Sequence, residues 1–168
     1  TVTPDSNGNW SIDTATATPT SGTLGTFVDG QSYPVTATVT DAAGNTASDT
    51  TTNELVIDTT APVAPAVIGQ TTNDTTPVIS GTALVAPGET LTVTVNGATY
   101  TVTPDSNGNW SIDTGTATPT SGTLGTFVNG QSYPVTATVT DAAGNSATDT
   151  TTNELKIDTT PPATPTVI

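Results

Sequence analysis

The chain of 168 residues carries 15 acidic side chains against one basic one, Lys156, for a net charge of -14, and it contains no His, Cys or Met. That composition excludes an imidazole base, a thiolate nucleophile, a zinc centre built on nitrogen or sulfur, and a disulfide. A single lysine with no arginine cannot neutralise phosphates, so nucleic acid and anionic lipid are excluded as partners and only hard oxygen ligands remain.

Val, Ile, Leu and Phe supply only 31 residues, which together with the charge falls on the disordered side of the compositional rule. Thr supplies 45, however, and a β-branched residue favours strands. The elements come in two copies, because residues 1–68 recur as residues 101–168 with nine differences: Ala15/Gly115, Asp29/Asn129, Thr46/Ser146, Ser48/Thr148, Val56/Lys156, Ala61/Pro161, Val63/Ala163, Ala64/Thr164 and Ala66/Thr166. An offset of 100 residues is too long for a solenoid turn and matches one β-sandwich domain, so a tandem array of domains is predicted. Residues 1–57 then read as the C-terminal part of one domain, incomplete without a counterpart of residues 66–100 and expected to be poorly ordered unless something completes its sheets. The chain is expected to be a slice of a longer array.

Residues 58–65 hold Pro62 and Pro65, which forbid a continuing ladder and stiffen the chain, so they read as a linker, as do residues 158–168 with the start of a next repeat. Residues 66–157 form the complete domain. Within it, Pro77–Thr82 is a short strand, and Glu89–Val95 (ETLTVTV) alternates into the hairpin signal Asn96-Gly97 and a second strand, Ala98–Thr103. A turn at Pro104–Asn109 leads to Trp110–Asp113. Ser132–Thr140 (SYPVTATVT) places Tyr133, Val135, Ala137 and Val139 on one face. Asp141–Asn145 turns the chain, and Leu155 and Ile157 anchor the last strand. No window has the helical period. Period-two placement of Val and Ile over several strands overrules the disorder rule and predicts an all-β, Greek-key sandwich of about seven strands, with a thin core whose bulk comes from Trp110, Tyr100, Tyr133 and Phe127.

The stretches VNGATYTVTPDSNGNWSID, GQSYPVTATVTDAAGN and LKIDTTPP resemble the bacterial immunoglobulin-like repeat of very large Gram-negative surface adhesins, including biofilm adhesins of the repeats-in-toxin type, and are similar to the extender of an ice-binding adhesin. The resemblance covers the whole repeat. It implies a secreted or cell-surface chain of identical neighbouring domains, extended and monomeric, with calcium stiffening the junctions.

Immunoglobulin-like topology sorts the acids by domain end. The incoming linker, the turn before Glu89, the Asp105 turn and the Asp141 loop are expected at one end, and the Asp74 turn, the Asn129 loop and the outgoing linker with Asp158 at the other. Asp58 is therefore expected to meet Glu89, Asp105 and Asp141, with Asp13 and Asp29 approaching from the preceding segment. Two carboxylates ~4 Å apart repel by about 4 kcal/mol at an effective dielectric of ~20, and a divalent cation reverses the sign. Oxygen donors alone specify Ca²⁺, so the candidate metal ligands are Asp58, Asp158, Asp41, Asp141, Asp5, Asp105 and Glu89. The competing reading is that these acids only build turns. Asp105–Asn109 begins like an EF-hand loop but lacks its downstream Glu. The Thr rows read as solvent faces, Trp10 and Trp110 as core, and no cleft suits paired carboxylates for glycoside hydrolysis, so no enzyme is expected. A glycan- or ice-binding module is the alternative to an extender.

Overall fold

A computed structural model describes residues 1–167. No described residue is helical, so none lies in a helix long and apolar enough to cross a membrane. The chain divides into two units, Thr1–Ile57 and Asp58–Ile168.

The first unit holds β1 (Ser32–Tyr33), β2 (Thr38–Thr40), β3 (Thr46–Ser48) and β4 (Leu55–Val56). They form two antiparallel pairs, β1 with β4 and β2 with β3. None of its residues is buried.

The second unit holds β5 (Ala66–Val67), β6 (Gln70–Thr72), β7 (Val78–Thr82), β8 (Thr90–Val95), β9 (Ala98–Val102), β10 (Asn109–Asp113), β11 (Ser121–Gly122), β12 (Ser132–Tyr133), β13 (Val135–Thr140), β14 (Ser146–Thr148) and β15 (Leu155–Ile157). One layer has the order β10-β7-β5, and the other is built from β11-β9-β8-β13-β14 and β12-β15-β6. Residues 66–72 switch layers, since β5 pairs antiparallel with β7 while β6 pairs parallel with β15. Ser132–Thr140, expected as one strand, is broken into β12 and β13 by Pro134, which has no N–H to give the ladder. Taking β5 with β6, β12 with β13 and β14 with β15 as single strands leaves seven and the two-residue β11. The fold is an immunoglobulin-like β-sandwich.

Local chemistry explains the elements. Asn96 and Gly97 both have positive φ, 45° and 88°, which is the twist a tight two-residue hairpin between β8 and β9 requires. Alternation then sends Leu91, Val93 and Val95 of β8 inward, opposite Val135, Ala137 and Val139 of β13, and leaves the Thr side chains on the other face. Trp110, Ile79 and Ile112 come from the facing layer, and Leu155 and Ile157 of β15 complete the core. Trp110, Tyr100 and Phe127 are buried as expected, while Tyr133 packs at the margin with its ring edge-on to Phe127, centroids 4.9 Å apart.

Trp10 departs from expectation. It is 45% exposed, whereas Trp110, at the equivalent position in an identical stretch, is 3% exposed. Trp110 lies on β10, which exists because β7 pairs with it from Asn109↔Thr82 to Asp113↔Val78. Residues 1–57 contain no strand equivalent to β7, and their copy of β10 is not formed.

Candidate functional site

The acids are held by the loops they build. Asp141 opens the turn after β13: its Oδ1 accepts the Asn145 N–H at 2.8 Å and its Oδ2 accepts Asn145 Nδ2–H at 2.9 Å. The Asn145 side chain holds the Asp141 carboxyl below the ordinary carboxylate value. Asp41 does the same with Asn45, at 2.9 and 2.8 Å, and is lowered for the same reason. Asp105 accepts the backbone N–H groups of Asn107 and Asn109 at 2.8 and 2.9 Å, and Asp5 those of Asn7 and Asn9 at the same distances. Both are lowered, chiefly by the Asn109 and Asn9 backbone bonds. Asp58 and Asp158 each cap a linker turn, accepting the N–H of Thr60 and Thr160 at 3.1 Å. Glu89 reaches back to the Ala86 N–H at 2.8 Å.

Asp58, Glu89 and Asp141 line one open depression of roughly 300 Å³, together with Thr60, Pro62 and Pro87. Asn145 ties the linker to this end, its Nδ2–H bonding both Asp141 and the Asp58 carbonyl, the latter at 3.0 Å. Asp105 lies in a neighbouring groove that shares Glu89 but not Asp58. Asp158 is at the far end, where its N–H bonds Thr72 and the Asn129 side chain accepts the Thr159 N–H at 2.7 Å. The donors around the depression suit calcium in kind: they are oxygens, and no lysine is among the lining residues. They do not converge, however. Among the described residues no three acidic side chains come close enough together to hold a metal ion as they stand.

Two acids that pattern reading passed over, and the hydroxyl of Tyr133, which it read only as core bulk, hold this frame. Glu154 is buried and its Oε2 accepts the Val135 N–H at 2.9 Å, where Pro134 interrupts the ladder. Asp149 accepts the Ala137 N–H at 2.7 Å. The Tyr133 hydroxyl accepts the Val128 N–H at 2.8 Å and ties the loop before β12 to the sheet. Their signal is a carboxylate or hydroxyl near a strand that has lost a backbone partner, which alternation does not register.

The lowered acids set a pH dependence. A carboxyl whose value is depressed on folding contributes stability that is present above its unfolded value, about 3.9, and lost as pH falls through the lower folded value. The melting temperature of the second unit should therefore be flat from about pH 7 to 5 and fall below about pH 4. The double variant Asp105→Asn, Asp141→Asn should flatten that fall in thermal melts followed by circular dichroism.

A sandwich whose polar side chains are spent on its own turns and ladders is a structural module by class. Comparison with protein families agrees: residues 68–159 match the bacterial Ig-like domain, and the chain belongs to that family. Such domains are in general non-catalytic, structural and extracellular or surface-exposed. Comparison with curated proteins gives no match.

Proposed function

We propose that this chain is a stretch of the extender of a large secreted bacterial adhesin, in which immunoglobulin-like domains in one polypeptide hold a distal binding module away from the cell. Its partners are the neighbouring identical domains of the same chain. The observation that carries this reading is the repeat itself: 68 residues recur at an offset of 100 with nine changes. Near-identity over 68 residues of a 100-residue repeat suits a part whose product is length, and each domain adds about 40 Å, from ~10-residue strands at ~3.3 Å per residue plus a linker. The burial of Trp110 supports the same choice, because a glycan-binding sandwich needs an exposed ring and the complete domain keeps this one in its core.

Calcium belongs to the proposal as the ion that offsets the repulsion among Asp58, Glu89 and Asp141. Asp158 occupies the same place in the following linker and Asp41 the same place in the preceding copy. Ligands that must be gathered give weak sites, in the ~10⁻⁴ to 10⁻³ M range of extracellular modules. At ~10 mM Ca²⁺ such a site stabilises the domain by about 1.4–2.7 kcal/mol. Melting of the full chain in Ca²⁺ and in EDTA should differ accordingly, and Asp58→Asn should remove the difference while leaving the domain folded. Equal melting temperatures take calcium out of the reading. Small-angle scattering with and without Ca²⁺ tests the stiffening, and equal maximum dimensions would remove it.

A further inference from the structure

Asparagine followed by glycine is chemically labile, because glycine has no side chain to keep its backbone nitrogen away from the preceding carboxamide carbon. The chain holds four such pairs: Asn7-Gly8, Asn96-Gly97, Asn107-Gly108 and Asn129-Gly130. Three of them lie in the second unit, where the fold surrounds each differently.

Asn129 is held at both ends of its carboxamide. Its Oδ1 accepts the Thr159 N–H at 2.7 Å and its Nδ2–H donates to Thr160 Oγ1 at 3.0 Å. The Gly130 nitrogen is engaged as well, its N–H bonding the Ile157 carbonyl of β15 at 2.8 Å. Asn96 is held by packing. Its Nδ2 is buried, and both Nδ2 and Oδ1 lie 3.0 Å from where a Cβ on Gly125 would stand. The chain therefore covers this carboxamide at Gly125, whose own N–H bonds the Asn96 carbonyl at 2.9 Å. The ladder fixes the backbone of the same turn through the Val95↔Ala98 pair.

Asn107 has neither restraint. It is exposed in the turn before β10, and only its backbone is engaged, the N–H bonding Asp105 Oδ1 at 2.8 Å. Its carboxamide makes no hydrogen bond to any described residue. The Gly108 N–H has a partner within the turn itself, the Asp105 carbonyl at 2.9 Å. Asp105 thus holds the main chain of the turn and leaves the Asn107 side chain free to rotate toward the Gly108 nitrogen.

We infer that Asn107 is a modification site, at which the fold permits spontaneous deamidation while withholding Asn96 and Asn129 from the same reaction. The deprotonated Gly108 nitrogen attacks Asn107 Cγ, the bond from Cγ to Nδ2 breaks, and ammonia leaves with the proton that the glycine gave up. The product is a cyclic imide. Water then adds to one of its two carbonyls. Addition at Cγ leaves aspartate, and addition at the main-chain carbonyl leaves isoaspartate, whose backbone runs through the former side chain and is one methylene longer. Either product adds a negative charge beside Asp105, in the turn whose groove also holds Glu89. The longer backbone also displaces Gly108, whose carbonyl accepts the Ala83 N–H at 2.8 Å and ties the turn to the end of β7.

The test uses the full chain carrying Asn7→Gln, which separates by mass the otherwise identical residues 1–10 and 101–110. The folded protein is held in mildly alkaline buffer, sampled over time, cut with chymotrypsin and read by mass spectrometry. The peptide holding Asn107 should gain the mass difference between amide and acid roughly tenfold or more faster than those holding Asn96 and Asn129, since each restraint that has to be broken first adds to their barrier. In concentrated urea the three rates should converge. Thr160→Val removes the acceptor of the Asn129 Nδ2–H, and it should speed Asn129 while leaving Asn107 unchanged. Equal rates in the folded chain overturn the inference. A spread that persists in urea does so too, because the selection would then lie in the neighbouring residues and not in the fold.

Discussion

Trp110→Ala should destabilise the complete sandwich by about 3–5 kcal/mol, while Trp10→Ala, the same change in an identical stretch of sequence, should leave its melting untouched. Trp110 sits at 3% exposure between the two layers, among Val67, Ile79 and Ile112 of the same core. Truncating it removes the largest apolar side chain from a core that has few large ones. The neighbours that would have to collapse into the space are strands fixed by their ladders, so the cavity persists and adds to the transfer loss. At about 4–8 °C per kcal/mol for a domain near 100 residues, the melting temperature falls by roughly 15–30 °C. Trp10 is 45% exposed and covers no core. Differential scanning calorimetry of the full chain reads both variants directly. Equal shifts would mean that the two copies share one environment, which contradicts the account of why they differ.

That pair of tryptophans also marks how far the fold was legible beforehand. Alternation located β7, β8, β9, β10 and the β12–β13 stretch, because each places apolar side chains at period two and ends at a turn signal. Residues 66–72 gave no such signal. They change layers after two residues and pair with β7 and then β15, so no single face persists long enough to alternate. Trp10 was read as core because a side chain is judged by its neighbours in sequence, whereas burial at this position depends on pairing with a strand 29 positions earlier, as Trp110 opposite Gly81 shows. The candidate site divides in the same way. Asp58, Glu89 and Asp141 come to one depression because topology carries the linker, the β7–β8 connection and the β13–β14 turn to one end. Asp105 does not join them, since its turn is committed to the groove beside β9. Glu154 and Asp149 escaped notice because their task, satisfying the Val135 and Ala137 N–H groups, exists only once the strands are placed.

Gly81→Val should cost the complete domain about 3 kcal/mol or more, although glycine within a strand is ordinarily the weaker choice. Gly81 lies on β7 directly opposite Trp110, and a Cβ there would run into the Ala66 carbonyl oxygen on one side and the Trp110 ring on the other. The carbonyl cannot retreat without breaking the Ala66↔Thr82 and Val67↔Gly81 pairing that holds β5 in the sheet. The ring cannot retreat without leaving the core. Any side chain at this position must therefore displace a strand or the largest core residue, which is overpacking that relaxation does not relieve. Gly69→Ala is the control: its Cβ would meet the Glu154 carbonyl oxygen at an ordinary 3.6 Å, and the change should stay within about 0.5 kcal/mol of the parent in urea unfolding. A double variant with Trp110→Ala separates the two obstacles. If the ring is part of the clash, the costs of Gly81→Val and Trp110→Ala sum to more than the cost of the pair. If they add, Ala66 alone sets the limit and the ring is free to move.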